Sequence, residues 1–387
     1  MRLIKLRISF YSIFCIIIIL TSCKKSSVFE EINTIDKVYD LDIDSCFYVE
    51  SILPLKTSEY GIINFIGKVY YVNSGYILLD PFESNIFKFD KEGNLLWKIT
   101  TKGRAPGEFL HINDICLDSK EEFLYVLDGL QQNKVLRFEV LSGDFVDESE
   151  VGFQSVAFYK FGSGGFAFYT GNNLVENSDN PNCNLLLTDS TFQIVNAGLR
   201  FDEKWSGISI SSGKSSFYPI GEDSILFTPQ LPEIGDVYLI TPETIEPYYR
   251  FVTKNSHLRS KLSKISVDIV SEWLDENSVE HNINGFWHQD DLFHFLVKSV
   301  NSNREVIYNK LTGKCYSRLT SQVSKKHAYF SPNPVFGKQT NGLFVNILPA
   351  YGIVDEEFEI TSSLNKVSEN DNPILVFYRI NEIRQLE

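Results

Sequence analysis

The sequence is poor in the spacings that announce chemistry. Its six cysteines stand far apart and form no CxxC or other zinc-ligand pattern, which excludes a structural zinc module built from neighbouring thiols. The six histidines, His111, His257, His281, His288, His294 and His327, include no HExxH and no close pair on one strand face. A phosphate loop is missing too: Ser212-Gly213-Lys214-Ser215 has the end of one, but the motif needs Gly where Ile208 stands. Asp40, Asp42 and Asp44 open like an EF-hand, yet Ser45 and Ser51 occupy the positions that require Gly and Glu. Positive charge is also lacking. The formal net charge is −14, and loss of the three basic residues Arg2, Lys5 and Arg7 takes it to about −17, which disfavours nucleic acid and anionic membrane surfaces as partners. Nor does any apolar run reach the roughly 20 residues of a membrane-spanning helix.

What is present begins at the N-terminus. Met1 to Arg7 is basic and Ile8 to Leu20 almost wholly apolar, the two regions of a secretory signal. The signal ends in Leu20-Thr21-Ser22-Cys23, which resembles the bacterial lipobox. That resemblance implies cleavage before Cys23, acylation of the new terminus and attachment to a membrane through the lipid. Residues 1–22 are then a signal peptide. Residues 23–45, polar and without a clear period, are expected to be a flexible tether. Cys46, Cys116, Cys183 and Cys315 remain, in contexts that suit small core residues, and the sequence cannot pair them.

Residues 46–387 read as one all-β domain. Aromatic residues make up 14% of the chain, with 30 Phe and 19 Tyr, and both types favour half-buried strand positions. Short alternating runs are separated by turn residues. Gly75–Asp80, Asn85–Asp90 and Leu95–Thr100 follow one another around the turn at Lys91–Gly93. Ile112–Leu117, Glu122–Asp128, Lys134–Glu139 and a strand from Phe145 repeat the order around Ser142–Asp144. Self-similarity at about 50 residues argues for blades around an axis. Six such units can be traced, the last with only three strands. The strand Cys46–Leu55 at the other end is expected to complete it, giving a six-bladed β-propeller closed by an N-terminal strand. A helical insertion is predicted near 257–277, where Leu258, Leu262, Ile265, Ile269, Val270, Trp273 and Leu274 fall at helical spacing.

Between the first two units stands Lys102-Gly103-Arg104-Ala105-Pro106-Gly107-Glu108-Phe109, followed by Ile112-Asn113-Asp114-Ile115. It resembles the linker of NHL-type six-bladed propellers, specifically the six-bladed β-propeller lipoproteins of Bacteroidota, and Asp371 to Tyr378 resembles that family's final strand. The resemblance implies an envelope lipoprotein, linked to glycan or nutrient use. In that group acidic residues after the lipidated Cys tend to mark surface export; Lys24 and Lys25 stand here instead, so a periplasm-facing protein is expected.

Candidate ligand-binding residues are His111, Asn113, Asp114 and Arg104, where the linker enters an inner strand. Trp205, Trp273, Trp287, Tyr218 and Tyr329 lie in or beside predicted loops, where rings could stack on sugars or a partner protein. His294, between Phe293 and Phe295, is expected to face between blades. No catalytic residue, metal ligand or cofactor is assigned. The expectation is a non-catalytic module that binds a glycan or an envelope protein at the channel mouth and inter-blade loops. Its rival is a metal-assisted lyase or hydrolase, with calcium or zinc held at the axial channel.

Overall fold

A computed structural model describes residues 28–380 apart from 37, 41–45, 59–60, 177, 209–215, 230–234, 263, 290, 300–302, 321–332, 338–341, 351–363 and 365–366. Cys23 and Tyr329 lie outside the described residues. Three strands come first: β1 (Glu30–Asn33), β2 (Val38–Asp40) and β3 (Phe47–Pro54). Blade 1 holds β4 (Lys68–Val72), β5 (Gly75–Asp80), β6 (Asn85–Phe89) and β7 (Leu95–Ile99). Blade 2 holds β8 (Asp114–Leu117), β9 (Phe123–Asp128), β10 (Lys134–Glu139) and β11 (Phe145–Glu150). Blade 3 is β12 (Ala157–Lys160), β13 (Phe166–Tyr169), β14 (Cys183–Thr188) and β15 (Ile194–Arg200). Blade 4 is β16 (Phe217–Gly221), β17 (Ser224–Phe227), β18 (Asp236–Ile240) and β19 (Ile245–Val252). In blade 5 come β20 (His281–Gln289), β21 (Leu292–Lys298), β22 (Asn303–Asn309) and β23 (Lys314–Leu319). Blade 6 has β24 (Asn333–Pro334), β25 (Leu343–Leu348) and β26 (Ile374–Ile380), and its fourth strand is β3. The molecule is a six-bladed β-propeller, with Ile380 opposite Phe47 and Ile374 opposite Pro54 in the sixth sheet.

Local chemistry makes these blades. In blade 1, the Asp90 carboxylate accepts the N–H groups of Glu92 (2.9 Å) and Asn94 (2.8 Å), folding the chain back between β6 and β7. Gly93 in that turn has φ +78°, and a Cβ there would stand 2.3 Å from the carbonyl oxygen of Pro54. Only glycine lets this turn close against β3. Between blades, the abundant aromatic rings form the seams. Tyr125 meets Phe166 (5.8 Å), Tyr169 meets Phe227 (5.1 Å), Phe251 meets Phe295 (4.4 Å), Trp287 meets Phe344 (5.4 Å) and Tyr76 stacks on Phe377 (5.0 Å). Such pairs contribute about 0.5–1.5 kcal/mol each beyond the area they bury.

Two expectations change. Residues 28–36 and 38–40 are a structured arm rather than part of a flexible tether. β1 runs parallel to β19, Glu30 opposite Tyr249 and Asn33 opposite Val252, and β2 runs parallel to β23, Val38 opposite Cys315. The outer strands β19 and β23 would otherwise expose N–H and C=O groups, which the arm pairs while Ile32 and Thr34 are buried. The insertion, in turn, is not one amphipathic helix. It contains α1 (Arg259–Leu262) and α2 (Val270–Glu276), separated by Ser266 in extended conformation (φ −68°, ψ 141°). The break lets Leu262 and Leu274 share one cluster with Phe201, Trp205 and Val279.

Candidate functional site

In an up-and-down blade the second and fourth strands end on the same side. The connections from blade to blade therefore share one face with the turns between second and third strands, and the tight turns share the other. The linker 101–113, the insertion and the connection holding Trp205 all lie on the long-connection face.

The linker is a pinned loop. Gly103 N–H donates to the Phe109 carbonyl (3.0 Å) and Phe109 N–H to that of Thr101 (3.1 Å). Glu108 Oε2 accepts the Ala105 N–H (2.9 Å) and lies 1.9 Å from where a Cβ on residue 103 would sit, so glycine there makes room for the carboxylate. The aspartates that end the second strands tie down the chain leading into each inner strand. Asp128 Oδ2 accepts the Leu110 N–H (2.7 Å), and Asp80 Oδ2 accepts that of Phe65 (3.4 Å).

The four expected ligand-binding residues divide here. Asn113 Oδ1 accepts the N–H groups of Gly129 (2.8 Å) and Leu130 (3.2 Å). Asp114 is buried, 2.8 Å from Lys68 Nζ, and also accepts the Phe158 N–H (3.2 Å). Asn113 thus pins a turn within blade 2, while Asp114 ties blade 2 to blades 1 and 3. His111 is half-buried, with Nδ1 3.0 Å from Ser84 Oγ, and Arg104 is exposed. Beside His111, Asp80 Oδ1 accepts the N–H groups of Phe82 and Glu83 (3.1 Å each), fixing a turn that leaves Phe82 75% exposed, its ring 4.8 Å from that of Phe65. This aromatic corner was missed in the sequence, although the aspartates ending "YILLD" and "LYVLD" signalled the turns that build it.

Lys68 Nζ also donates to the Ile115 carbonyl (2.9 Å) and lies 5.1 Å from the Phe336 ring, and Tyr70 Oη donates to the same carbonyl (3.1 Å). Tyr218 stacks on Phe336 at 6.5 Å, and burial pushes its phenol up to about 12. A cavity at Lys68, Tyr218, Gly285, Asn333 and Phe336 is ≈ 20 Å³. That is room for about one water.

A larger cleft of ≈ 450 Å³ opens on the long-connection side at the rim of blades 4 and 5, lined among others by Thr34, Lys254, Leu274, Glu280, Arg304 and Leu319. Arg304 donates twice to Glu280 (2.8 Å each) and once to the Thr34 carbonyl (3.3 Å). Burial works against its charge, but the hydrogen bonds and charge of Glu280 outweigh it and raise the guanidinium above its ordinary range. The walls come from the arm, the insertion and blade 5, so no short stretch of sequence could show the cleft.

Of the other aromatic candidates, Trp205 and Tyr218 are core residues and cannot stack on a ligand, while Trp273 and Trp287 are half-buried against apolar clusters. His294 is buried at the seam of blades 5 and 6, 4.8 Å from the Phe344 ring. Among the described residues no three His, Cys, Asp or Glu side chains are grouped to hold a metal ion, and no helix is long and apolar enough to cross a membrane.

The family model for a domain of unknown function, DUF4934, matches residues 27–379. No curated protein matches the chain. Among solved structures, a candidate exported protein from Bacteroides fragilis is similar, with 19% identity and a TM-score of 0.73 over 91% of this chain and 100% of that one. A member of the DUF4221 family from Bacteroides vulgatus has 12% identity and a TM-score of 0.49, over 87% of this chain and 98% of its own. At such identities the likeness to the first is one of fold alone.

Proposed function

The chain belongs to the DUF4934 family, and from that premise we propose that it is a lipid-anchored envelope protein acting as a non-catalytic binding module, with its recognition surface on the long-connection face. The observation that carries this reading is a contrast of volumes. The cleft between blades 4 and 5 has ≈ 450 Å³, within the range of small-molecule sites, and the cavity beside Lys68 and Tyr218 ≈ 20 Å³. The cleft offers a cation at Lys254, a fixed ion pair and an apolar wall at Leu274 and Leu319, a mixture that suits a polar ligand such as a glycan. Across the ring, Phe82 and Phe65, with His111 beside their turn, form a second patch suited to stacking and hydrogen bonding. The lipobox at Cys23 and the exported structural relative support an envelope location, and Lys24 and Lys25 favour its periplasmic side.

Two measurements test this. Labelling with a clickable palmitate analogue is expected to mark the protein and to be lost in Cys23→Ala. Glycan-array binding is expected to fall at least tenfold in Leu319→Trp, which fills the cleft, or in Phe82→Ala. Binding that survives both substitutions would place recognition elsewhere.

A further inference from the structure

The arm that replaces the expected tether fixes more than two sheet edges. We propose that the lipid at Cys23 holds the propeller with its tight-turn face toward the bilayer, at the rim of blades 4 and 5. The long-connection face, cleft and aromatic corner included, then points away from the membrane. The inference rests on the reading of Cys23 as the lipidated residue.

The direction of β1 is the first support. It runs parallel to β19, which ends on the long-connection face, so β1 starts toward the tight-turn side. Contacts agree with that direction. Glu30 pairs at 2.8 Å with Lys310, in the turn that joins β22 to β23. Phe29, one residue earlier, is held between the edge of Tyr238 (5.3 Å) and the guanidinium of Arg250 (4.1 Å). Only six residue steps separate Cys23 from Phe29, and even fully extended they span at most about 22 Å.

That length is decisive. Turning the ring over would require the lead to reach past blade 4, where β19 alone is 8 residues, roughly 26 Å of strand. The insertion at 253–280 stands beyond it on the same face. A free tether from Cys23 to Cys46 would have reached about 75 Å and allowed every orientation. Pairing of β1 and β2 with the blades removes that freedom.

The test uses the full-length lipidated protein in phosphatidylcholine vesicles whose headgroups carry an energy-transfer acceptor. A donor dye is placed by maleimide chemistry at Leu311→Cys, in the exposed turn beside Lys310, or at Glu83→Cys, on the opposite face. The native thiols at 46, 116, 183 and 315 are buried, so the new cysteine takes the label. Transfer from position 311 is expected to exceed that from position 83 several-fold. A Gly/Ser spacer of about 20 residues inserted between Ser27 and Val28, adding roughly 25 Å of root-mean-square reach, should bring the two together. Equal transfer from both positions without the spacer, or stronger transfer from position 83, overturns the orientation and leaves the anchor standing. Vesicle association that persists in Cys23→Ala overturns the anchor reading, and the orientation falls with it.

Discussion

Glu305 is fully buried, and its carboxylate meets His294 Nε2 at 2.7 Å and Arg318 Nε at 2.9 Å. Replacing it with glutamine removes the negative charge but not the guanidinium, which stays in a low-dielectric seam. The expected cost is about 3–5 kcal/mol, read as a lowered urea midpoint for Glu305→Gln. Arg137 pairs with Asp147 on the open side of blade 2, where water screens both, and Arg137→Ala should cost less than about 1 kcal/mol. Equal losses in the two variants would mean that the buried group contributes no more than the surface pair. The sequence placed His294 between blades from its flanking phenylalanines. It could not show Glu305 or Arg318 as partners, because the pairing runs across β21, β22 and β23.

At the level of elements, the arm is where reading and structure part. Residues 30–33 and 38–40 are too short and too polar to declare themselves as strands, and they form because two outer blade edges are waiting for them. Ile32 is 2% exposed and Ile35 46%. Ile32→Ala is therefore expected to cost about 2–4 kcal/mol of unfolding free energy and Ile35→Ala no more than about 0.5. A flexible arm would make the two variants alike in a urea titration. The inner strands β4, β12 and β16 escaped notice for a related reason. They are short, β4 is buried along almost its whole length so that alternation is lost, and Lys68 in β4 and Pro219 in β16 look unlike strand residues. Lys68 is tolerated because β8, the neighbouring inner strand, supplies Asp114.

For the whole molecule, burial of so many phenols makes alkali the weak side. Burial pushes Tyr218 up to about 12, and it pushes Tyr76 there as well, helped by Tyr71 and Glu50. Cys315 rises to about 11, again chiefly through burial, with Arg304 opposing it. In the unfolded chain a phenol ionises near 10 and a thiol near 8.5. Above those values the unfolded state binds fewer protons than the folded one, so stability is full below them and is lost as pH rises through the folded values. The urea midpoint should begin to fall above about pH 9 and drop steeply by about pH 11.5, and Tyr218→Phe should flatten part of that fall. A midpoint that stays constant over the range would show that these groups ionise without unfolding.

The sequence by itself determined the class of fold. Turn aspartates, glycines and alternating strands act over a few residues, and their recurrence at about 50 residues already implied blades. It also singled out Cys23 as the proposed lipidation site, since a cleavage signal is read locally. Tertiary structure alone decided where residues 28–36 and 38–40 run, that Asn113 pins a turn within blade 2 and that Asp114 serves the seams. It also decided that a cleft opens at the rim of blades 4 and 5. Each of these depends on groups brought together from distant parts of the chain: Glu30 with Lys310, Asp114 with Lys68 and Phe158, Thr34 with Arg304. Such contacts are energetic facts of the folded ring and leave no trace in local spacing.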